Sequence, residues 1–275
     1  MTTLETSGHR PRLRALVSDA LVFAGRHIRH IKQVPEKLID ATVQPLMFVL
    51  LFAYVYGGAI AVQNGSYREY VIAGILIQTY VFGMTGPAIS LSTDLTEGVI
   101  DRFRSLPTSR AAYLFGQYLA ELGSLAITTV VLMVTGLVVG WRIHTGPVDV
   151  AIALWLLFLF GSAMIWLGTV LGLVVRTPDS VMGIGFALVF PLTFLSSAFV
   201  PMETLPVPLQ HLAAWNPVSV VVAAMRRLFG NPGGAPTMAT WPLEHPVTAA
   251  FLCAAAVLVL AMPAAFRLFR RRTMH

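Results

Sequence analysis

A phosphate-cradling loop needs GxxxxGK[ST], because successive backbone N–H groups and one lysine must grip the same phosphates. The chain has two lysines, Lys32 and Lys37, and neither stands in such a run. Histidines at 9, 27, 30, 144, 211, 245 and 275 form no HExxH pair, and His27 with His30 lies in a basic stretch without carboxylates nearby, so no zinc site is spelled out. Ser196-Ser197 lacks the GxSxG setting of a hydrolase nucleophile. The single cysteine, Cys253, sits inside an apolar run and offers neither a disulfide nor a cysteine-based metal site. No catalytic group, metal or cofactor is therefore expected on this chain. Two features remain: Glu121, an isolated carboxylate in an apolar stretch, and the charged run DLTEGVIDRFRSLPTSR, Asp94 to Arg110.

The elements that hold these two features follow from composition. Of 275 residues 56% are hydrophobic and 12% charged, against roughly 25% charged in a soluble domain. The mean hydropathy is +0.73. Six stretches approach the ~20 apolar residues that cross a bilayer: 39–62, 69–93, 111–140, 148–175, 179–200 and 246–266. The expected fold is an all-α polytopic membrane protein, with residues 1–37 as a tail and 38–275 as a transmembrane domain. Pro45, Pro87, Pro191 and Pro263 fall within the spans, where neighbouring helices must satisfy the freed carbonyls. Over 13–34, Leu13, Val17, Ala20, Leu21, Ala24, Ile28 and Ile31 recur at helical spacing. That pattern fits an amphipathic helix lying in the membrane interface, or one packed on a soluble partner.

Six crossings put both termini on one side, and the basic residues say which. Fifteen of the nineteen Lys and Arg fall in 1–37, 94–110, 176 and 267–275; the opposite loops hold only Arg68, Arg142, Arg226 and Arg227. The asymmetry places the termini and 94–110 in the cytoplasm. Residues 1–37 carry seven of these cations and no long apolar run, unlike a signal peptide, so the N-terminus is expected to be retained. Seventeen arginines against two lysines hint at a GC-rich bacterial genome.

In the charged run, Asp94 with Glu97 at the third position is arranged as a reciprocal helix cap. Leu95, Val99, Phe103 and Leu106 then share one face of a helix over 94–106, Glu97, Asp101 and Arg104 another, and Pro107 stops it. A turn between antiparallel helices needs only a few residues. A rigid charged element in its place suits a membrane protein that a soluble partner pushes.

The run EGVIDRFRSLPTSR resembles the segment before the third membrane helix of ABC-2 type permeases. A second run, FPLTFLSSAFVPMETLPVPLQHLAAWNPVSVVVAAMRRLF, is similar to that family's fifth helix and outer re-entrant region. The likeness covers nearly the whole chain and points to the daunorubicin-resistance (DrrB-like) branch of drug-export permeases. It implies the ABC-2 (type V exporter) fold: six membrane helices, an N-terminal connecting helix over 13–34, a cytoplasmic coupling helix over 94–106 and an outer re-entrant region over 201–230. It implies a permease dimer, most simply a homodimer, driven by two separate ATP-binding subunits that carry the Mg-ATP. Glu97, Gly98, Arg102, Arg104 and Pro107 carry over as the residues that meet the ATPase. The second and fifth spans would line the path, making Tyr80, Phe82, Phe186, Phe190 and Phe194 candidate contacts for flat apolar or cationic solutes. Gly83, Gly86, Gly183 and Gly185 would allow close helix approach.

Glu121 lies about ten residues into the third span, ~15 Å along a helix. A carboxyl at that depth faces a cavity as a cation-recognising group, or is buried at a helix contact with Gln117. Between Pro201 and Pro246 the chain is too long for a turn and its apolar stretch too short to span, which favours re-entrant helices opened at Asn216-Pro217. Pro201, Asn216 and Pro217 are then candidates for an outer gate or a structural cap. Export of an amphiphilic antibiotic or lipid-like molecule is the expected function. Polysaccharide or glycolipid export is the alternative within the fold. An ion-gradient transporter is the alternative outside it, which the lack of repeated halves disfavours.

Overall fold

The computed structural model describes residues 35–58, 60, 62, 66–98, 110–175, 177–231 and 240–272, and every regular element among them is helical. Helix α1 spans Pro35–Leu50 and continues as a π-turn over Leu51–Val55. Helices α2 (Tyr67–Phe82) and α3 (Thr85–Thr96) are two halves of one apolar run. Helix α4 is Arg110–Val139, α5 is Pro147–Val174 and α6 is Pro178–Phe194. A 3-10 turn at Met202–Thr204 leads to the short helices α7 (Val207–Trp215) and α8 (Pro217–Phe229). One turn, α9 (Trp241–Glu244), precedes α10 (Pro246–Arg272).

Local chemistry sets these ends. Ser66 caps α2, its hydroxyl accepting from the Arg68 N–H at 3.2 Å, and Thr177 caps α6 in the same way from the Ser180 N–H. Proline opens α5 and α6 at a position where its missing N–H costs nothing. Gly98, Gly140 and Gly230 follow α3, α4 and α8 with positive φ, a backbone state that only glycine enters freely. Pro87 is the third residue of α3 and not the interior of a continuous helix, because the run breaks at Gly83-Met84 just before it.

Among the described residues, four helices are long and apolar enough to cross a membrane: Tyr67–Thr96, Ala111–Val139, Pro147–Val174 and Pro246–Arg272. The chain is an all-α, multi-pass membrane protein. The other two expected spans contain shorter apolar helices, Val43–Val55 and Pro178–Phe194. The first ends in its π-turn before Gly57-Gly58, and the fifth stops at Phe194 where 195–200 leaves helical geometry. At the C-terminal end of α3, the structure replaces the expected cap. The helix runs through Asp94 to Thr96, Glu97 closes it by donating its N–H to the Thr93 carbonyl, and Asp94 instead accepts from the Tyr113 hydroxyl. The amphipathic helix expected over 13–34, and Arg102, Arg104 and Pro107 of the coupling segment, lie outside the described residues.

Helix α5 is the mast. Between apolar helices in lipid, association rests on close packing and not on escape from water. Gly168 lies so near α3 that an added Cβ would stand 2.0 Å from the Met84 carbonyl oxygen, and Gly172 would meet that of Ala88 at 2.4 Å. The main core joins α2, α5, α8 and the first half of α10 through Ile75, Leu156, Leu157, Val221 and Ala250. A second cluster at the other end gathers Leu91, Leu114, Trp166, Leu173, Ala265 and Phe269. There Phe115, Trp166 and Phe266 are in mutual ring contact, and Tyr113 stacks on Phe269 at 5.8 Å.

Candidate substrate path and outer seal

Helix α6 places Phe186, Phe190 and Phe194 four residues apart, hence on one face. Their centroids are 5.5 and 5.2 Å apart, and Phe82 of α2 meets Phe186 and Phe190 edge-on at 5.9 and 6.0 Å. The ladder continues from Phe194 to Phe199, Phe52 and Phe48, crossing from α6 to α1. Phe186, Phe190 and Phe194 are 42%, 45% and 49% exposed, so the rings touch one another yet keep open faces. Beside Phe82 and Phe48 a small cleft is lined by Gln44, Pro45, Gln78 and Thr79, which sets amide groups next to the rings.

Four of the five aromatic candidates thus come together and Tyr80 does not. Its side chain is buried between α2, α4 and α5, its hydroxyl bonded to Thr129 Oγ1 at 2.7 Å and its ring 6.5 Å from Phe160. The ring lies against Gly161, whose Cβ would be 2.8 Å from it. Three of the four glycines singled out do sit at close approaches: Gly83 against Leu125, Gly185 against Thr85 and Gly86 against Glu121. Gly183 faces open space.

Glu121 is half-buried on α4, with a carboxylate oxygen 3.2 Å from where a Cβ of Gly86 would stand. Gly86 itself is exposed and lies in the first turn of α3, just past the Gly83-Met84 break that follows Phe82. Gln117, one turn earlier, donates to the Pro87 carbonyl at 3.0 Å, and its buried Oε1 has no hydrogen-bond partner among the described residues. At the C-terminal end of α3, Glu97 and Gly98 close the helix, with Gly98 at φ 66° turning the chain out of it.

The outer candidates are built into a dense polar node. A helix end leaves its last four carbonyls without partners, and in lipid no water supplies them. Asn216 solves part of this: its Nδ2 donates to the carbonyls of Leu192 at 2.7 Å and Leu195 at 3.1 Å, while its Oδ1 accepts from the Val218 N–H and so caps α8. Pro217 supplies the first residue of α8. Pro201 is buried, and its carbonyl accepts from both the N–H and the hydroxyl of Thr204.

At the centre of this node is Arg226, one of the four cations that the charge count assigns to the loops opposite the termini and part of the run that resembles the family's outer region. Arg226 is 4% exposed. Its Nε donates to the Tyr70 carbonyl at 3.0 Å, and its Nη2 to those of Ser197 at 2.8 Å and Ala198 at 3.2 Å. The guanidinium lies 3.4 Å from the centroid of the Tyr70 ring. The available signal was helical register: Arg226 stands four residues after the buried Val222, whereas its neighbour Arg227 is exposed. Nearby, His144 and Glu69 pair at 2.9 Å, joining the first turn of α2 to the α4–α5 connection.

The described helices, glycine approaches and apolar spans describe a permease-like bundle, and sequence comparison assigns it. Residues 20–229 match the family described as ABC-2 type transporter. The chain belongs to the ABC-2 type transporter family. It is 32% identical over its full length to the daunorubicin resistance ABC transporter permease protein DrrB1 of Streptomyces coeruleorubidus, covering 94% of that protein. It is 28% identical over 80% of its length to the probable doxorubicin resistance permease DrrC of Mycobacterium tuberculosis, covering 79% of that chain. It is also 25% identical over 78% of its length to the putative transport permease ycf38 of Cyanophora paradoxa, covering 75%. ABC-2 permeases are the non-catalytic membrane components of ABC transporters, so this chain is a permease subunit and not an enzyme.

Proposed function

We propose that this ABC-2 permease exports an amphiphilic molecule, an antibiotic or lipid-like compound, along the face formed by Phe82, Phe186, Phe190 and Phe194. The observation that carries the reading is the half-exposed aromatic ladder itself; the Glu121 carboxylate lies against Gly86, just past the helix break that follows Phe82. Ring faces attract flat apolar solutes and organic cations, and a carboxylate in low dielectric favours the cation further. The names of DrrB1 and DrrC, which speak of daunorubicin resistance and probable doxorubicin resistance in those organisms, agree with such a solute.

In this reading two permease subunits, most simply identical, face one another across the α1 and α6 surfaces, each with a separate ATP-binding subunit that holds Mg-ATP. Six crossings set the protein in the bacterial cytoplasmic membrane with both termini inside. Glu97, Gly98, Arg102, Arg104 and Pro107 receive the ATPase, and α7 and α8 re-enter the outer leaflet, where Pro201, Asn216 and Pro217 close the path. ATP-driven closure of the partner tilts α3 and α4 and alternates access to the ladder. The test is uptake into inverted membrane vesicles holding the permease with its co-expressed ATPase, using doxorubicin and an uncharged amphiphile of similar size. ATP-dependent uptake is expected, with Glu121→Gln losing about tenfold for the cation only, the cost of one charge interaction of ~1.4 kcal/mol. Equal loss for both solutes, or uptake driven by a proton gradient at constant ATP, overturns the reading.

A further inference from the structure

We propose that Arg226 is the pin of the outer seal: a built-in guanidinium that clamps the broken stretch after α6 to α2, so that the two path-lining helices move as one body. The proposal builds on the export reading above, but its geometry stands apart from it.

Residues 195–200 leave α6 without continuing a helix, and their carbonyls must find donors elsewhere. Every carbonyl from Ser197 to Phe199 is taken by a side chain of α2 or α8. Ser197 accepts from both Arg226 and the Tyr70 hydroxyl, the latter at 2.9 Å; Ala198 accepts from Arg226; Phe199 accepts from the Tyr67 hydroxyl at 3.0 Å. Ser219 of α8 accepts the Ser197 N–H at 3.0 Å. On α2, Gly74 lets the Ala198 carbonyl approach to 1.9 Å from where a Cβ would be, a contact no other residue permits.

This is a cradle of carbonyls of the kind that holds a free cation in a discontinuous membrane helix. Here the cation is supplied by the chain. Its described partners are carbonyls and a ring, with no carboxylate among them, so the charge is solvated by the broken backbone itself. Only a guanidinium fits the task. Its fork spans the carbonyls of Tyr70 on one side and Ser197 and Ala198 on the other with its Cζ over the Tyr70 ring; a lysine ammonium is a single point and reaches one set. The consequence for transport is geometric. Phe199, at the end of the clamped stretch, lies 5.5 Å from Phe194 at the end of α6, so the pin fixes where the ladder turns from α6 toward Phe52.

The test uses Ser197→Cys in a Cys253→Ser background, since the Ser197 hydroxyl is buried and has no hydrogen-bond partner among the described residues. Maleimide labelling of Cys at 197 is expected to be slow in this parent. Adding Arg226→Ala should raise the rate about tenfold, the effect of losing charged hydrogen bonds, and millimolar methylguanidinium should slow it again. Arg226→Lys, which retains charge and should retain the fold by gel filtration, is expected to label faster than the parent. Labelling of Arg226→Ala or of Arg226→Lys at the parent rate overturns the pin. In vesicles with the co-expressed ATPase, doxorubicin moved per ATP hydrolysed should fall for Arg226→Lys, whereas general destabilisation lowers both rates together. An unchanged ratio overturns the role in export. Absence of ATP-dependent uptake by the parent refutes the export reading and leaves the labelling result to judge the pin.

Discussion

Helices α5 and α6 are both almost wholly apolar, yet the structure treats them as opposites. Over its second half α5 is enclosed, with Phe160, Gly161, Ala163, Ile165, Trp166, Gly168 and Leu173 all buried. Helix α6 buries only Val181, Gly185, Val189 and Thr193, one residue every four, and turns its large side chains outward. Lipid is as apolar as leucine, so a large side chain gains little from being inside. What distinguishes the two helices is where small residues let a neighbour's backbone come close. The mast is therefore defined by glycine, and the exposed path by phenylalanine.

The largest expected effect on this contrast is Gly168→Ala. A methyl group 2.0 Å from the Met84 carbonyl cannot be absorbed by a flexible side chain, so α3 and α5 must separate. The cost is about 3 kcal/mol or more, read as loss of monodisperse protein after detergent extraction. Second is Phe190→Ala on α6, which should leave the melting temperature nearly unchanged but reduce doxorubicin uptake at low concentration about 2–10-fold, the worth of one aromatic contact. An equally large loss of thermal stability would assign Phe190 to packing. Third is Tyr80→Phe. Removing the hydroxyl bonded to Thr129 should cost about 0.6 kcal/mol, seen as a small fall in unfolding temperature with uptake per folded molecule unaltered. Smallest is Gly183→Ala, on the open side of α6, where the added methyl meets nothing within 4 Å. A helical alanine there should be neutral or stabilising by no more than about 0.4 kcal/mol; marked destabilisation would mean that this face is covered by another subunit.

The same contrast separates what could be read from the residues alone. The apolar runs, the break after α4, the charged interval at 94–110 and the Asn216-Pro217 start of α8 were legible because they depend on local composition and capping. The grouping of Phe186, Phe190 and Phe194 came from the family resemblance, and their spacing of four agrees with it. Tyr80 was not separable from them, because a spacing rule says which residues share a helix face but not which neighbour that face meets. Asp94 fitted a cap by spacing, yet Tyr113 reached it first from the next helix, and the incoming helix kept it. Arg226 was hidden for a related reason. An arginine in an outer segment reads as solvated; register puts it on the Val222 face, but its burial follows once the stretch after α6 has delivered the Ser197 and Ala198 carbonyls beside it.

The sequence by itself determined that this chain lives in a membrane, is helical, lacks any means of holding ATP by a Walker loop and belongs with ABC-2 permeases. These are properties of composition, local order and motif, and they survive without coordinates. The tertiary structure alone decided which apolar helix is enclosed, which rings stay open and how the broken stretch after α6 is satisfied. The physical reason is that in lipid the hydrophobic pattern no longer distinguishes inside from outside. Close approach and carbonyl satisfaction do, and both depend on which distant segment arrives.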